Sequence, residues 1–227
     1  MKKYLIIVFL LSLSNFLFAK NFPSNNQVAI VKKIVKEVQV KKASDSEIES
    51  AKIGYSLLDG GQVITKAKSL ALLVLTKDKS LLTIRENSIL NIYQRKVGNG
   101  INTSTNIDKG TVLFKVEKQS ADDGFEFVTP SAVASIRGTS GVIDADSIQT
   151  NIYLEEGEIF VQSKDDPSKN VTINGGNKLT IDNEGNIEVQ EFTDEDKKKI
   201  DDTKKINTKK IYITTPYGIL EIEYLIE

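Results

Sequence analysis

Thr129-Pro130-Ser131-Ala132-Val133-Ala134-Ser135-Ile136-Arg137-Gly138-Thr139 is the most informative stretch of the chain. It reads as a strand opened by proline and small on one face. It ends in Arg-Gly-Thr and resumes at Val142-Ile143. The chain has 30 basic residues, and only Arg85, Arg95 and Arg137 among them are arginine. In a lysine-using chain, an arginine beside a glycine and after a strand points to a place where a planar, multi-donor group is wanted.

Outward from this stretch, apolar residues alternate with polar ones. Val112, Phe114 and Val116 share a face, as do Phe125 and Phe127. The same holds for Ile152 with Leu154, Ile159 with Val161, Val171 with Ile173, Leu179 with Ile181, and Ile187 with Val189. Leu70 to Leu75, Leu81 to Ile84 and Ile89 to Tyr93 are strand-sized runs separated by Lys77-Asp78-Lys79-Ser80 and Arg85-Glu86-Asn87. Period two over this length predicts an all-β fold of many short strands, wound as a β-helix or roll or stacked as a sandwich. Gly98-Asn99-Gly100 is read as the start of a longer loop, and Ala43 to Lys52 as a loop or brief helix. Val28 to Val40 fits strands or a short amphipathic helix. Glycine followed by x-Val or x-Ile recurs at Gly61, Gly110, Gly157 and Gly185, which is the chemistry of turns that feed strands.

The two ends differ from the middle. Met1-Lys2-Lys3, the apolar run Tyr4 to Phe18 and Ala19-Lys20 read as a signal peptide, residues 1–19. The run is short for a spanning helix. Residues 20–192 form the expected β domain and 193–210 a charged helix or linker opened by a Thr193 cap. Residues 211–227 form a terminal hairpin around Pro216-Tyr217-Gly218, too small to stand alone and so expected to dock on the domain or on a partner.

Composition excludes several classes. The chain lacks cysteine, so no disulfide or lipid-bearing thiol holds it. It lacks histidine, the commonest general base and metal ligand. Loss of Lys2 and Lys3 with the signal takes the 30 basic residues to 28 against 31 acids, a net charge of −3. That balance offers no footprint for nucleic acid.

These residues resemble the FecR domain, the extracytoplasmic β domain of ferric-citrate-type signalling proteins, over residues 53 to 181. Gly54 to Thr65 is similar to the family's opening, and Ser69 to Leu75, Asp78 to Ile84 and Ser88 to Ile92 to its next three strands. Gly110 to Val116, Phe127-Val128-Thr129-Pro130, Ile136-Arg137-Gly138-Thr139 and Glu156 to Val161 follow in the family's order. The resemblance implies a β fold and an envelope location: the periplasm first, the outer surface or the medium otherwise. Relatives of the regulator type carry a cytoplasmic sigma-binding domain and a membrane helix, for which the two basic residues before the apolar run leave no room. Gln62 stands where an aspartate is common. The tail after Phe192 is shorter than the small α/β domain that often follows.

Thr129, Pro130, Arg137, Gly138 and Thr139 are expected to be structural, with Arg137 satisfying carbonyls or an acid where strands meet. The alternative is a recognition point for a carboxylate or glycan. The acid pairs Glu155-Glu156, Asp122-Asp123 and Asp165-Asp166 fall on opposite strand faces or in loops, unlike the facing carboxyls of a glycosidase. Asp182 to Asn186 is expected to be a hairpin turn and Asp144-Ala145-Asp146 a solvent-facing loop. No catalytic, metal or cofactor set is expected.

The sequence therefore predicts an exported, non-enzymatic binding or scaffolding module whose partner is an envelope protein or cell-wall glycan. One rival is a detached sensor half that meets a TonB-dependent transporter or a membrane anti-sigma factor; another is an envelope glycan hydrolase. N-terminal sequencing of the protein recovered from a periplasmic extract is expected to begin at Lys20. Recovery only in membranes with residues 1–19 retained contradicts the cleavage.

Overall fold

The computed structural model describes residues 27–205 and 208–225; the expected signal segment lies outside them. Strands take up 58% of the chain and helix 6%, so the class is all-β, without a closed barrel. Two sheets face each other. Sheet A runs in the order β4 (Ser56–Leu57), β1 (Ala29–Val35), β6 (Leu70–Leu75), β7 (Leu81–Ile84), then the second half of β9 (Gly100–Lys115). It continues through β12 (Ser140–Ala145), β13 (Gln149–Glu156), β16 (Asn177–Asp182) and β17 (Ile187–Glu191). Sheet B runs β3 (Ile48–Ser50), β2 (Val38–Lys41), β5 (Gly61–Thr65), β8 (Ile89–Val97), then the first half of β9. It continues through β10 (Gly124–Val128), β11 (Ala132–Ile136), β14 (Glu158–Ser163) and β15 (Asn170–Asn174). Every pairing is antiparallel except β9 with β10.

The chain thus deals hairpins alternately to the two sheets, and β9 passes from one sheet to the other at Gly110. The period-two residues point inward. Phe127 of sheet B packs on Phe114 of sheet A with ring centroids 5.1 Å apart, and Phe125 meets Phe127 edge-on at 5.2 Å. Around them Leu73, Leu82, Ile84, Val112, Ile143, Ile152 and Leu154 of sheet A meet Val63, Leu90, Ile92, Ile159 and Val161 of sheet B in one continuous core. Burial at roughly 25 cal/mol per Å² of apolar surface makes this the main stabilising contribution.

Glycines stand where the chain changes sheets. At Gly138 φ is 67°, and at Gly157 it is 90°. A Cβ on Gly157 would lie 2.5 Å from Thr139 Cγ2 and 2.9 Å from the Gly138 carbonyl oxygen, so these two corners stack directly. The corner at Gly175 continues the stack, its N–H donating to the Gly157 carbonyl at 2.9 Å. The recurrent glycines at 110 and 157 thus mark sheet crossings, and Gly185 (φ 75°) sits in the β16–β17 turn.

Some expectations change. Gly98-Asn99 makes a tight turn in a long hairpin of β8 on β9, with Gly100 already in strand, so there is no long loop. Ala43 to Lys52 contains β3. Val28 to Val40 is strand, not helix. Asp144 lies in β12, not in a loop. After β17, α1 (Asp194–Lys204) opens on a capping box: the Asp196 N–H donates to Thr193 Oγ1, and the Asp196 carboxylate accepts from the Thr193 N–H. β18 (Thr208–Thr215) and β19 (Gly218–Leu225) form the terminal hairpin, three residues earlier than expected. Ile211, Tyr212, Ile213, Ile219 and Leu220 are exposed on it, so it is not buried on the domain.

Gly138→Val places a β-branched side chain in left-handed backbone and is expected to cost at least about 1 kcal/mol. An unchanged denaturant midpoint contradicts the assignment.

Candidate binding face

The outer face of sheet A is partly covered. Ile200 of α1 sits on Val142 and Tyr153, with Leu113 and Phe192 at the margin. Lys178 and Lys199 lie 5.4 and 5.1 Å from the Tyr153 ring centroid. Ion pairs then tie the helix down: Lys199 to Asp144 at 2.8 Å, Lys204 to Glu155 at 2.5 Å and Lys178 to Asp196 at 3.6 Å. The Lys199 ammonium is desolvated, yet its hydrogen bond and attraction to Asp144 leave its pKa raised. Arg85 Nη1 donates to the Lys205 carbonyl at 3.2 Å. The groove of about 850 Å³ beside α1 is lined partly by these groups and partly by Glu86, Gln190, Glu195 and Lys198.

The outer face of sheet B has no such cover among the described residues. Strand register arranges it in rows. Tyr93 stands opposite Ser104, Ser104 beside Glu126, Glu126 opposite Ser135, Ser135 opposite Phe160, and Phe160 opposite Thr172. The next row runs Gln62, Asn91, Asn106, Val128, Val133, Gln162. Tyr93 and Phe160 are each 39% exposed and lie four strands apart, about 19 Å at the usual spacing. Glu126 lies between them with no ion pair or hydrogen bond among the described residues. Gln62 donates to Asn91 at 2.8 Å and Asn91 to Asp108 at 3.0 Å, so the Gln62 substitution joins an amide ladder. Two shallow grooves, about 460 and 390 Å³, open on this face around Asn102, Gly124 and Glu126.

The connection from β9 to β10 is pinned at the rim by Asp123. Its carboxylate accepts from Lys77 Nζ and Ser120 Oγ, and from the Ile101 N–H at 2.8 Å. Led by the Lys77 bond, these donors lower its pKa from the ordinary 3.8 to about 2.

The motif residues divide. Thr129 and Ala132 close the hairpin from β10 to β11: the Thr129 N–H donates to the Ala132 carbonyl at 2.9 Å, and Thr129 Oγ1 accepts from the Ala132 N–H at 2.9 Å. Pro130 occupies the tip, where its missing N–H costs nothing. Thr150 Oγ1 donates to Thr129 Oγ1 at 2.8 Å, and Ser131 Oγ to Thr150 Oγ1 at 2.8 Å, a buried hydroxyl chain from sheet B to sheet A. Thr139 is buried in the corner stack, its Oγ1 without a partner in the structure. Arg137, by contrast, is exposed and satisfies neither a carbonyl nor an acid among the described residues. The acid pairs do not converge: Asp166 and Asp182 order their own turns, and Glu155 holds Lys204. No group of three or more metal-ligating side chains occurs among the described residues, and no helix among them is long and apolar enough to cross a membrane.

Residues 61–160 match the family model described as FecR protein. The chain contains a FecR domain. The match runs from β5 into β14, inside the span 53 to 181 of the resemblance, and takes in Thr129, Pro130, Arg137, Gly138, Thr139 and most of the sheet B face. The chain is also similar to crystal structures, at 1.65 and 2.50 Å resolution, of a protein described as a candidate anti-sigma factor from Parabacteroides distasonis. In both cases the identity is 12% and the TM-score 0.47, over 57% of this chain and 59% of that one. The alignment thus spans less than two thirds of that protein. No curated protein matches the chain.

Sequence reasoning missed the FecR domain's polar face because Asn102, Ser104 and Asn106 alternate with Thr103, Thr105 and Ile107, which hides the hydrophobic period. The β-branched alternation of Ile101, Thr103, Thr105 and Ile107 was the available signal.

Because the folded carboxyl of Asp123 titrates below its unfolded value, its stabilising effect is present above pH 3.8 and lost as pH falls toward 2. NMR titration of this carboxyl is expected to give a midpoint near 2 that Lys77→Ala moves up toward 3.8. A wild-type midpoint at 3.8 contradicts the pinning.

Proposed function

We propose that the protein is an exported, non-enzymatic binding module of the bacterial cell envelope that holds wall glycan on the outer face of sheet B. The observation that carries this reading is the row Tyr93, Ser104, Glu126, Ser135, Phe160. Hydroxyl-rich chains present polar edges and apolar ring faces together. Exposed aromatic platforms about 19 Å apart, with amides and hydroxyls between and beside them, match both. Glu126 is an unpaired acceptor at the centre.

Export rests on the signal-like residues 1–19, and the periplasm is the proposed compartment. The non-enzymatic reading is supported by Asp166 and Asp182, which order their own turns, and by Glu155, which holds Lys204. The FecR domain itself favours the second reading, a sensor half that meets a transporter or an anti-sigma factor. Co-purification with such a membrane partner, unaffected by Tyr93→Ala, would favour it over glycan binding.

In a pelleting assay the purified chain is expected to sediment with peptidoglycan sacculi. Tyr93→Ala with Phe160→Ala should weaken this at least about tenfold while leaving the denaturant midpoint within about 0.5 kcal/mol per site. Wild-type binding by the double variant, or none by the wild type, contradicts the proposal.

A further inference from the structure

We propose that Arg95 and Arg137, with the Asn102 amide between them, form a seat for an oxyanion carried by the bound glycan, either a carboxylate or a phosphodiester. This deepens the reading of sheet B as a glycan face and rests on it. Three arginines occur in the chain. Arg85 is committed to the Lys205 carbonyl. Arg95 and Arg137 are both exposed, and neither makes an ion pair or hydrogen bond among the described residues.

Extending the register one residue past the end of β11 places the two in one line. Arg95 of β8 stands opposite Asn102 of β9, and Asn102 lies beside Gly124 of β10. Ser135 of β11 stands opposite Glu126, so Arg137, two residues on, falls in line with Gly124, two residues back. The arginines are three strand spacings apart, about 14 Å, and Arg95 lines the groove that holds Asn102 and Glu126. That middle is open because residue 124 is glycine. A Cβ there would lie 2.5 Å from Asn102 Oδ1, so the amide leans over the glycine column between the two guanidiniums. The Asn102 side chain also has no hydrogen-bond partner among the described residues. The result is two guanidiniums flanking an unpaired amide, whose NH2 turns to a ligand by rotation about the last side-chain bond.

The guanidinium fork matches carboxylate and phosphate edges, which a lysine does not. The acids nearby are Asp59, Asp122, Glu126 and Glu158, and none pairs with either arginine; Asp59 accepts from the Gln94 N–H, and Asp123 is occupied by Lys77, Ser120 and the Ile101 N–H.

The test compares sacculi with native carboxylates, sacculi with amidated carboxylates, and poly(glycerol phosphate). The wild-type chain is expected to bind native sacculi about tenfold more tightly than amidated ones. Arg95→Gln with Arg137→Gln removes that difference and leaves binding to amidated sacculi unchanged, whereas Arg→Lys at both sites restores it only in part. Preference for poly(glycerol phosphate), lost in the same Gln variant, supports the seat and assigns it to a phosphodiester. Equal binding of native and amidated sacculi, with none of poly(glycerol phosphate), overturns the seat and leaves the glycan face standing. Failure to bind any of the three ends both.

Discussion

The fold depends on close passage of backbone at the corners where the chain leaves one sheet for the other. At Gly157 a Cβ would be 2.5 Å from Thr139 and 2.9 Å from the Gly138 carbonyl oxygen, and at Gly175 it would be 2.6 Å from the Glu155 carbonyl oxygen. At Gly110 it would be 2.1 Å from Ser88 Oγ. Only residues without side chains allow the corners to stack this tightly. The stack sets the separation of the sheets and hence the depth of the single core between them. Part of the family motif belongs to this constraint: Gly138 and Thr139 build a corner, while Thr129 and Ser131 join the two sheets through Thr150.

Two sheets built by the same winding meet different fates on their outer faces. Sheet A carries Val142, Tyr153 and Leu113 outward and needs cover, which α1 supplies through Ile200. Thr193 and Asp196 start that helix where β17 ends, and three lysine–acid pairs hold it in place. Each pair is partly exposed and worth about 1 kcal/mol or less, so the apolar contact outweighs the charges. Sheet B carries amides, hydroxyls, two aromatics and two unpaired arginines outward. Nothing in that set demands cover, so the face stays open for the ligand proposed above.

The core was legible because its inward residues recur at period two from Val112 to Val116, Phe125 to Phe127 and Ile152 to Leu154, with only Leu113 and Tyr153 apolar on the other face. The capped helix was legible from Thr193 and the acids after it. The first half of β9 was not, since its inward positions include Thr103 and Thr105 and no run of apolar residues announces it. Asp144 looked like part of a loop because the helix that covers it is remote in sequence. Arg137 stood out by composition, but its face could be assigned only once β11 was seen to lie between β10 and β14. Tyr93, Glu126 and Phe160 come from three separate strands, and only register unites them.

The central claim is that recognition happens on the outer face of sheet B. Backbone amide shifts of the isotopically labelled chain, recorded while soluble muropeptide chains are added, test it most directly. The account predicts shifts confined to β8, β9, β10, β11 and β14 around Tyr93, Ser104, Glu126, Ser135 and Phe160, with α1 and its contacts unmoved. Shifts centred on α1, Tyr153 and Lys178 instead would contradict it.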